Sequence, residues 1–414
     1  MNKKIVDING IRVTLIDTDK FKSVCGALFF KMPIKEEMIV TRTLIRNILI
    51  HSCKKYPSNR MLNINCLENY DTYYSSTFRR DGNYATNYFF FRTFDERYTD
   101  KDNFNRVLDT FKEIIFNPNA KNNKFDKEEY NLAYKSLKSR IETRKERARA
   151  YASYKLCKQM GGDTPVSYTT SLEVLEKVTN EDLYKEYLNM INNSEVSFVV
   201  AGKNVTKLDF SDFLKDVKTT SYNNDLYVNT NINNSINEVV EKYNGLQSIL
   251  SLGIKLKDLT DFERKYVIPV FNNILGGGTS SRMFNIIREE NSLCYSCFSR
   301  YERDDNLIEI YMGIENENYE KALSLTKEII NNMKNITEEE IKRAKIDITS
   351  VIKESLDNLN NYAISKYFKD LYGDEEDNIK IDKINSVTKS DIKNVFKKIY
   401  LTDSFFLKGG KTNG

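Results

Sequence analysis

The sequence predicts an α+β protein of two homologous domains, each an antiparallel β-sheet packed with helices. Three observations carry that prediction. Two β-rich runs, 72–80 and 84–92, flank Asp81-Gly82-Asn83; Asp-Gly between such runs is a strong hairpin signal, because its backbone readily takes the left-handed conformation of a tight turn. Short alternating apolar runs are interspersed with apolar residues at helical spacing, so strands and helices share each half of the chain. The order strand, helix, hairpin, helices, strand then recurs in the second half, the mark of an internal duplication.

Ile11, Val13 and Leu15 alternate with polar neighbours and define a first strand, and Val24, Gly26, Leu28 and Phe30 define a second. Residues 41–57, TRTLIRNILIHSCKKYP, read as an amphipathic helix running into a basic turn closed by Pro57. After the hairpin, Phe104, Val107, Leu108, Phe111, Ile114 and Ile115 repeat with the period of a buried helix face. A long charged helix over 126–146, a helix over 180–191 and a strand over 196–202 complete this half. The Asn/Thr/Ser-rich stretch that follows has weak apolar pattern and is assigned as a linker. The predicted boundaries are 1–215 for the first domain, 216–236 for the linker and 237–414 for the second. In the second half a strand over 247–254 precedes a helix over 261–275, a hairpin-like pair over 294–300 and 307–313, and a helix over 319–333. Two further helices and a closing strand at 404–408 are expected.

Composition narrows the function classes. In 414 residues, 40% hydrophobic and 12% aromatic content is ample for folded cores and excludes a wholly disordered chain. Lys+Arg 63 against Asp+Glu 59 leaves a net charge of +4, with no basic tract to follow a phosphate backbone, so no nucleic acid is expected. Charges interrupt every apolar run near the N-terminus, so no signal peptide, membrane span or membrane partner is expected, and the cytoplasm is the predicted location. Six scattered cysteines suit reduced thiols. Cys294 and Cys297 form a CxxC, but His51 is the sole histidine. A tetrahedral zinc site therefore lacks ligands, and the pair is read as buried thiols rather than a redox couple. His51 itself, in a lysine-rich helix end, is read as solvated. Serine and cysteine nucleophile mechanisms need a histidine beside the nucleophile, and none is visible. Gly276-Gly277-Gly278 lacks the Gly-Lys-Ser of a phosphate loop.

One stretch is more specific. Leu275-Gly-Gly-Gly-Thr-Ser-Ser-Arg-Met-Phe-Asn-Ile-Ile-Arg288-Glu-Glu-Asn-Ser-Leu-Cys-Tyr295 resembles the second-domain signature of pitrilysin/insulinase-type zinc peptidases, a glycine run followed by Ser-Ser-Arg-Leu-Phe and Arg-Glu-x-x-x-Leu-x-Tyr. Lys54-Lys55-Tyr56-Pro57 resembles the basic turn after that family's metal-binding helix. The order of elements is similar along essentially the whole chain, which implies two insulinase-like domains.

In active members that helix carries His-x-x-Glu-His, two zinc ligands one turn apart and a glutamate that polarises water. The family's spacing to Pro57 puts these roles on Thr43, Arg46 and Asn47, and the third ligand, a glutamate on the long charged helix, on Arg140. None of the four can serve. Threonine and asparagine offer weak neutral oxygens, and arginine is a permanent cation without an acceptor. The resemblance therefore implies a chain without catalytic zinc and with no cofactor, not an enzyme on its own.

The family's substrate-binding arginine and tyrosine match Arg288 and Tyr295, donors suited to a carbonyl oxygen. The alternative is that Arg288 pairs along its helix and Tyr295 packs in the sheet. For Gly276, Gly277 and Gly278 the alternatives are a loop that reaches a partner and a sharp turn needing positive φ. In several relatives one subunit carries the zinc motif and another the Arg/Tyr pair or glycine loop. The resemblance thus implies a peptide-binding heterodimer with a catalytic homologue, with self-association as the alternative. The bacterial two-gene pairs it is most similar to are associated with peptide maturation and, by name, with elongation factor P modification. A non-enzymatic scaffold, as in respiratory-complex core subunits of this fold, is the competing reading. Arg79 and Arg80 on the hairpin favour either acidic peptides or a solvated, charge-protected strand edge.

Overall fold

The computed structural model describes residues 2–232, 235–245 and 247–410. These form two compact units, neither continuous in sequence. The first comprises the chain up to Glu142, Thr169–Asp225 and Ser355–Gly373; the second comprises Thr143–Tyr168, Leu226–Glu354 and the chain from Asp374 onward.

The first unit holds a six-stranded sheet. Its strands are β1 (Asn2–Ile8), β2 (Ile11–Asp17), β3 (Ser23–Pro33), β4 (Tyr73–Asp81), β5 (Tyr84–Phe94) and β6 (Glu195–Gly202), in the order β1-β2-β6-β3-β5-β4. All neighbours are antiparallel except β2 and β6. The β4–β5 hairpin closes on Gly82 at φ +57°, the conformation its Asp-Gly sequence favours. On one face lie α1 (Met38–Leu49), α2 (Asn59–Glu68), α3 (Asn103–Phe116), α4 (Lys127–Glu142) and, after α5 (Ala148–Gly161) of the other unit, α6 (Asn180–Asn193). Their apolar faces bury Leu44, Ile48, Phe111 and Met190 against Leu28 and Phe91 of the sheet. Each such side chain taken from water contributes about 1.5–3 kcal/mol.

The opposite face of β3 is also covered, which is why nine consecutive residues of this strand, Val24–Met32, are buried rather than alternating. The covering helix comes from far along the chain. Among the second-half helices α7 (Tyr319–Asn332), α8 (Glu338–Ser355) and α9 (Leu359–Tyr372), it is α9 that packs here. Tyr367 of α9 stacks on Phe29 with ring centroids 3.7 Å apart.

The second unit repeats the design. Strands β7 (Asn237–Tyr243), β8 (Ser248–Leu256), β9 (Cys294–Glu302), β10 (Leu307–Ile314) and β11 (Ile399–Gly409) run in the order β9-β10-β8-β11-β7. Starting from its hairpin edge, this is the order of the first sheet, β4-β5-β3-β6-β2, with one parallel pair at the same place, β11 beside β7. Here α5 covers one face, packing Leu156 and Met160 against Ile249 and Phe405. A Cβ on Gly253 of β8 would lie 2.4 Å from the Met160 sulfur, so glycine lets this helix approach the sheet. Two more helices, α10 (Asp377–Ser386) and α11 (Lys389–Phe396), precede β11.

Three sequence expectations change. The boundaries 1–215 and 237–414 do not coincide with the compact units. Each sheet needs both faces covered, and one covering helix is supplied by the other half of the chain. The segment 216–236 is anchored rather than loose: Leu226 and Val228 are buried, and the Val228 amide donates to Asp304 O at 2.8 Å. Positions 233 and 234 of that segment lie outside the described residues. Finally, four helices rather than two lie between α7 and the closing strand. Among the described residues no helix is long and apolar enough to cross a membrane.

Candidate functional site

Helix α1 carries Thr43, Arg46 and Asn47. Thr43 is buried and its hydroxyl is turned back on the helix, donating to Ile39 O at 2.7 Å, so it presents no free ligand. One turn earlier Arg42, 1% exposed, donates from Nε to Glu186 Oε1 of α6 at 2.7 Å. Arg46 lies on the face toward the β4 edge, its guanidinium 3.4 Å from Ser76 O, while its buried Nε has no partner.

Helix α4, which carries Arg140, packs against α1. Burial lowers the Arg46 pKa first, and the charge of Arg140 lowers it further. The positions matched to the family's zinc site are thus gathered by the fold, and what they gather is two like charges. This donor set does not fit zinc, which needs deprotonated nitrogen, sulfur or carboxylate ligands. His51 lies past the end of α1, side chain 45% exposed, with Nδ1 3.7 Å from Glu129 Oε2. Among the described residues no group of three His, Cys, Asp or Glu is placed to hold a metal.

Arg288 and Tyr295 are brought together in the second unit. The helical turn Phe284–Glu290, wound wider than an α-helix, carries Arg288 near its end, and β9 begins six residues after Arg288. The pairing of β9 with β10 slips between Cys294 and Cys297, a bulge on an edge strand that re-aims the intervening side chains. Tyr295 consequently stands 82% exposed. The Arg288 guanidinium lies 4.5 Å from the Phe284 ring centroid and 5.5 Å from that of Tyr295, with Glu289 at 3.5 Å. Tyr295 does not pack in the sheet, whereas Arg288 does pair along its own helix as the alternative anticipated. Guanidinium and phenol present donors to solvent side by side.

The bulge also turns Cys294 and Cys297 to one side. Their thiols hydrogen-bond each other, which lowers the Cys294 pKa and, with burial, raises that of Cys297. Both are free and buried.

Gly276, Gly277 and Gly278 correct one expectation, because none has positive φ. Close approach accounts for Gly276, where a Cβ would sit 2.8 Å from the backbone nitrogen of Ser299 in β9. Gly277, Gly278 and Thr279 line a cavity of about 590 Å³. Ile348 and Val351 of α8 give it apolar walls, and Arg264, Lys265, Lys380 and Asp347 give it charge. Sequence reasoning passed over these charged residues, which look like ordinary helix-surface positions. On the hairpin, Arg79 is held by Asp81 at 2.5 Å and lies over the Phe368 ring, and Arg80 donates to Gly82 O at 3.2 Å. Both serve the turn and the sheet.

Comparison with known proteins agrees with this geometry. Residues 177–347 match the family model described as the peptidase M16 inactive domain. A probable inactive metalloprotease, YmfF of Bacillus subtilis, is 27% identical across 97% of this chain and 96% of its own length. The chain is thus similar to M16 peptidases, with the inactive-domain model matching residues 177–347. A conserved protein from Enterococcus faecalis superposes with a TM-score of 0.90 at 25% identity over 100% of both chains. A peptidase M16 inactive domain from Pseudomonas fluorescens does so at 0.78 with 14% identity, covering 99% of each; that likeness concerns the fold. What the likeness and the sequence give together is an M16-like chain that lacks a His-x-x-Glu-His motif.

Proposed function

We propose that the chain is a non-catalytic M16 subunit that pairs with a zinc-bearing homologue and contributes Arg288 and Tyr295 to binding the peptide that the homologue cleaves. The observation that carries this reading is the exposed Arg288–Tyr295 pair. A cation and a phenol 5.5 Å apart, on a bulge of an edge strand, suit a peptide carbonyl presented by a partner, where fixed donors favour developing negative charge. The α1 positions explain why the hydrolytic step belongs to the partner: they offer neither a zinc ligand nor a general base. The name of the B. subtilis relative, probable inactive metalloprotease, supports the same assignment.

The test is a peptide-cleavage assay on the chain co-expressed with a homologue that carries His-x-x-Glu-His. Arg288→Ala is expected to lower the activity of the pair by roughly 100-fold, the scale of losing one oxyanion donor, while leaving association intact. Tyr295→Phe is expected to lower it less. Unchanged activity in both variants overturns the contribution of these residues and favours a scaffold role.

A further inference from the structure

Cys294 and Cys297 read in sequence as ordinary buried thiols, because in a regular strand their spacing sends them to opposite faces of the sheet. The bulge in β9 prevents this. Cys294 pairs with Ile314 and Cys297 with Met312, so Tyr295 and Ser296 together stand opposite Gly313. Ile314 and Met312, two residues apart on β10, share a face, and the cysteines opposite them share it too. All four side chains enter the same apolar core.

Neighbouring positions on one face of a strand lie about 6–7 Å apart, at the upper end of the span a disulfide bridges, roughly 4.4–6.8 Å between Cα atoms. The bulge draws the two thiols within hydrogen-bonding reach of each other. Both are free and lie on the edge strand of their sheet. Neither is sealed from solvent: Cys294 is 9% and Cys297 8% exposed, whereas Cys25 and Cys53 are 0%. The hydrogen bond from Cys297 lowers the Cys294 pKa against the effect of burial, and the Arg288 charge adds to it. Cys294 is thus the more readily ionised of the pair, and the thiolate is the nucleophile in disulfide exchange.

We infer that Cys294 and Cys297 are a redox-modification site, a reversible disulfide that closes a ring over the β9 bulge and fixes Tyr295 within it. The oxidant is a low-molecular-weight disulfide. The Cys294 sulfur attacks one sulfur of that molecule, whose S–S bond breaks, and the Cys294 proton leaves on the first released thiol. Cys297 then attacks Cys294 Sγ, and its proton leaves on the second released thiol. Two cysteines are oxidised, and one small disulfide is reduced to two thiols. Excess small thiol reverses both steps. The site does not depend on the partner proposed above.

The test equilibrates the full chain in buffers of oxidised and reduced glutathione, alkylates it in denaturant and maps the thiols by mass spectrometry. In wild type, the peptide spanning 294–297 is expected to lose two hydrogens as an internal disulfide and to regain them in excess reduced glutathione. Cys297→Ser is expected to stop at a mixed disulfide between Cys294 and glutathione, because the resolving thiol is gone. The inference is overturned by wild-type Cys294 and Cys297 that remain fully alkylated in the most oxidising buffer. It is equally overturned by wild-type Cys294 that stops at the mixed disulfide. Hydrogen exchange at the Tyr295 and Ser296 amides is expected to slow about tenfold on oxidation; an unchanged rate overturns the ring's hold on the bulge.

Discussion

Arg140 on α4 lies close enough to Arg46 on α1 for its charge to depress the Arg46 pKa. The resemblance to zinc peptidases matches these two positions to a general base and a metal ligand; here each supplies a cation. That relationship makes a direct prediction for metal content. Protein purified without chelators is expected to carry no stoichiometric zinc by elemental analysis. Restoring the set with Thr43→His, Arg46→Glu, Asn47→His and Arg140→Glu together is expected to bring in stoichiometric zinc, since α4 packs against α1.

The same pair predicts a stability change. Arg140→Gln removes a like charge at a partly solvated site, so stability is expected to rise by roughly 0.5 kcal/mol. A shift of the urea midpoint measures this, with the slope unchanged.

Glu302, at the end of β9, gives a pH dependence. Burial raises its pKa to about 7, opposed by Arg300 and assisted by the nearby Glu309 and Asp305 carboxylates. A carboxyl raised above its unfolded value is protonated more readily in the folded chain. Its contribution is therefore most favourable below the ordinary glutamate range and is lost as pH rises from about 4.5 to about 7. Glu302→Gln is expected to stabilise the protein by about 2 kcal/mol at pH 8 and by little at pH 4.5. Denaturation midpoints across that window check the sign.

Gly276 tests the packing of the glycine run. Because a Cβ there would meet the Ser299 backbone nitrogen at 2.8 Å, Gly276→Ala is expected to cost about 1–3 kcal/mol. Gly278→Ala, whose Cβ would meet the Asn273 side chain at 3.1 Å, is expected to cost less, because a side-chain end moves more easily than a strand.

Much of the fold was legible because its signals are local. Asp81-Gly82 marks a turn by backbone preference, and the spacing of Val107, Phe111 and Ile114 marks a helix by its buried face. What escaped was non-local. Nothing in the pattern of α9 states that Tyr367 will stack on Phe29, so the exchange of covering helices between halves left no trace in sequence. The short charged α10 and α11 bury few apolar residues, Ile384 in one and Ile392 with Val395 in the other, and their periodicity was too sparse to separate. Gly276 was misassigned because close approach and positive φ leave the same glycine in a sequence. At the site, Thr43, Arg46, Asn47 and Arg140 were reached through a family resemblance. The buried Arg42–Glu186 pair beside them gave no signal, since an arginine amid apolar residues reads as a surface charge.

The central claim is that this chain completes a peptidase without being one. Its most direct test measures cleavage of one peptide by the purified chain, by a zinc-bearing M16 homologue, and by the two together. The account predicts no cleavage by this chain, little by the homologue, and a rate at least tenfold higher for the mixture than for the homologue. Zinc-dependent cleavage by this chain alone, or a mixture no faster than the homologue, would contradict it.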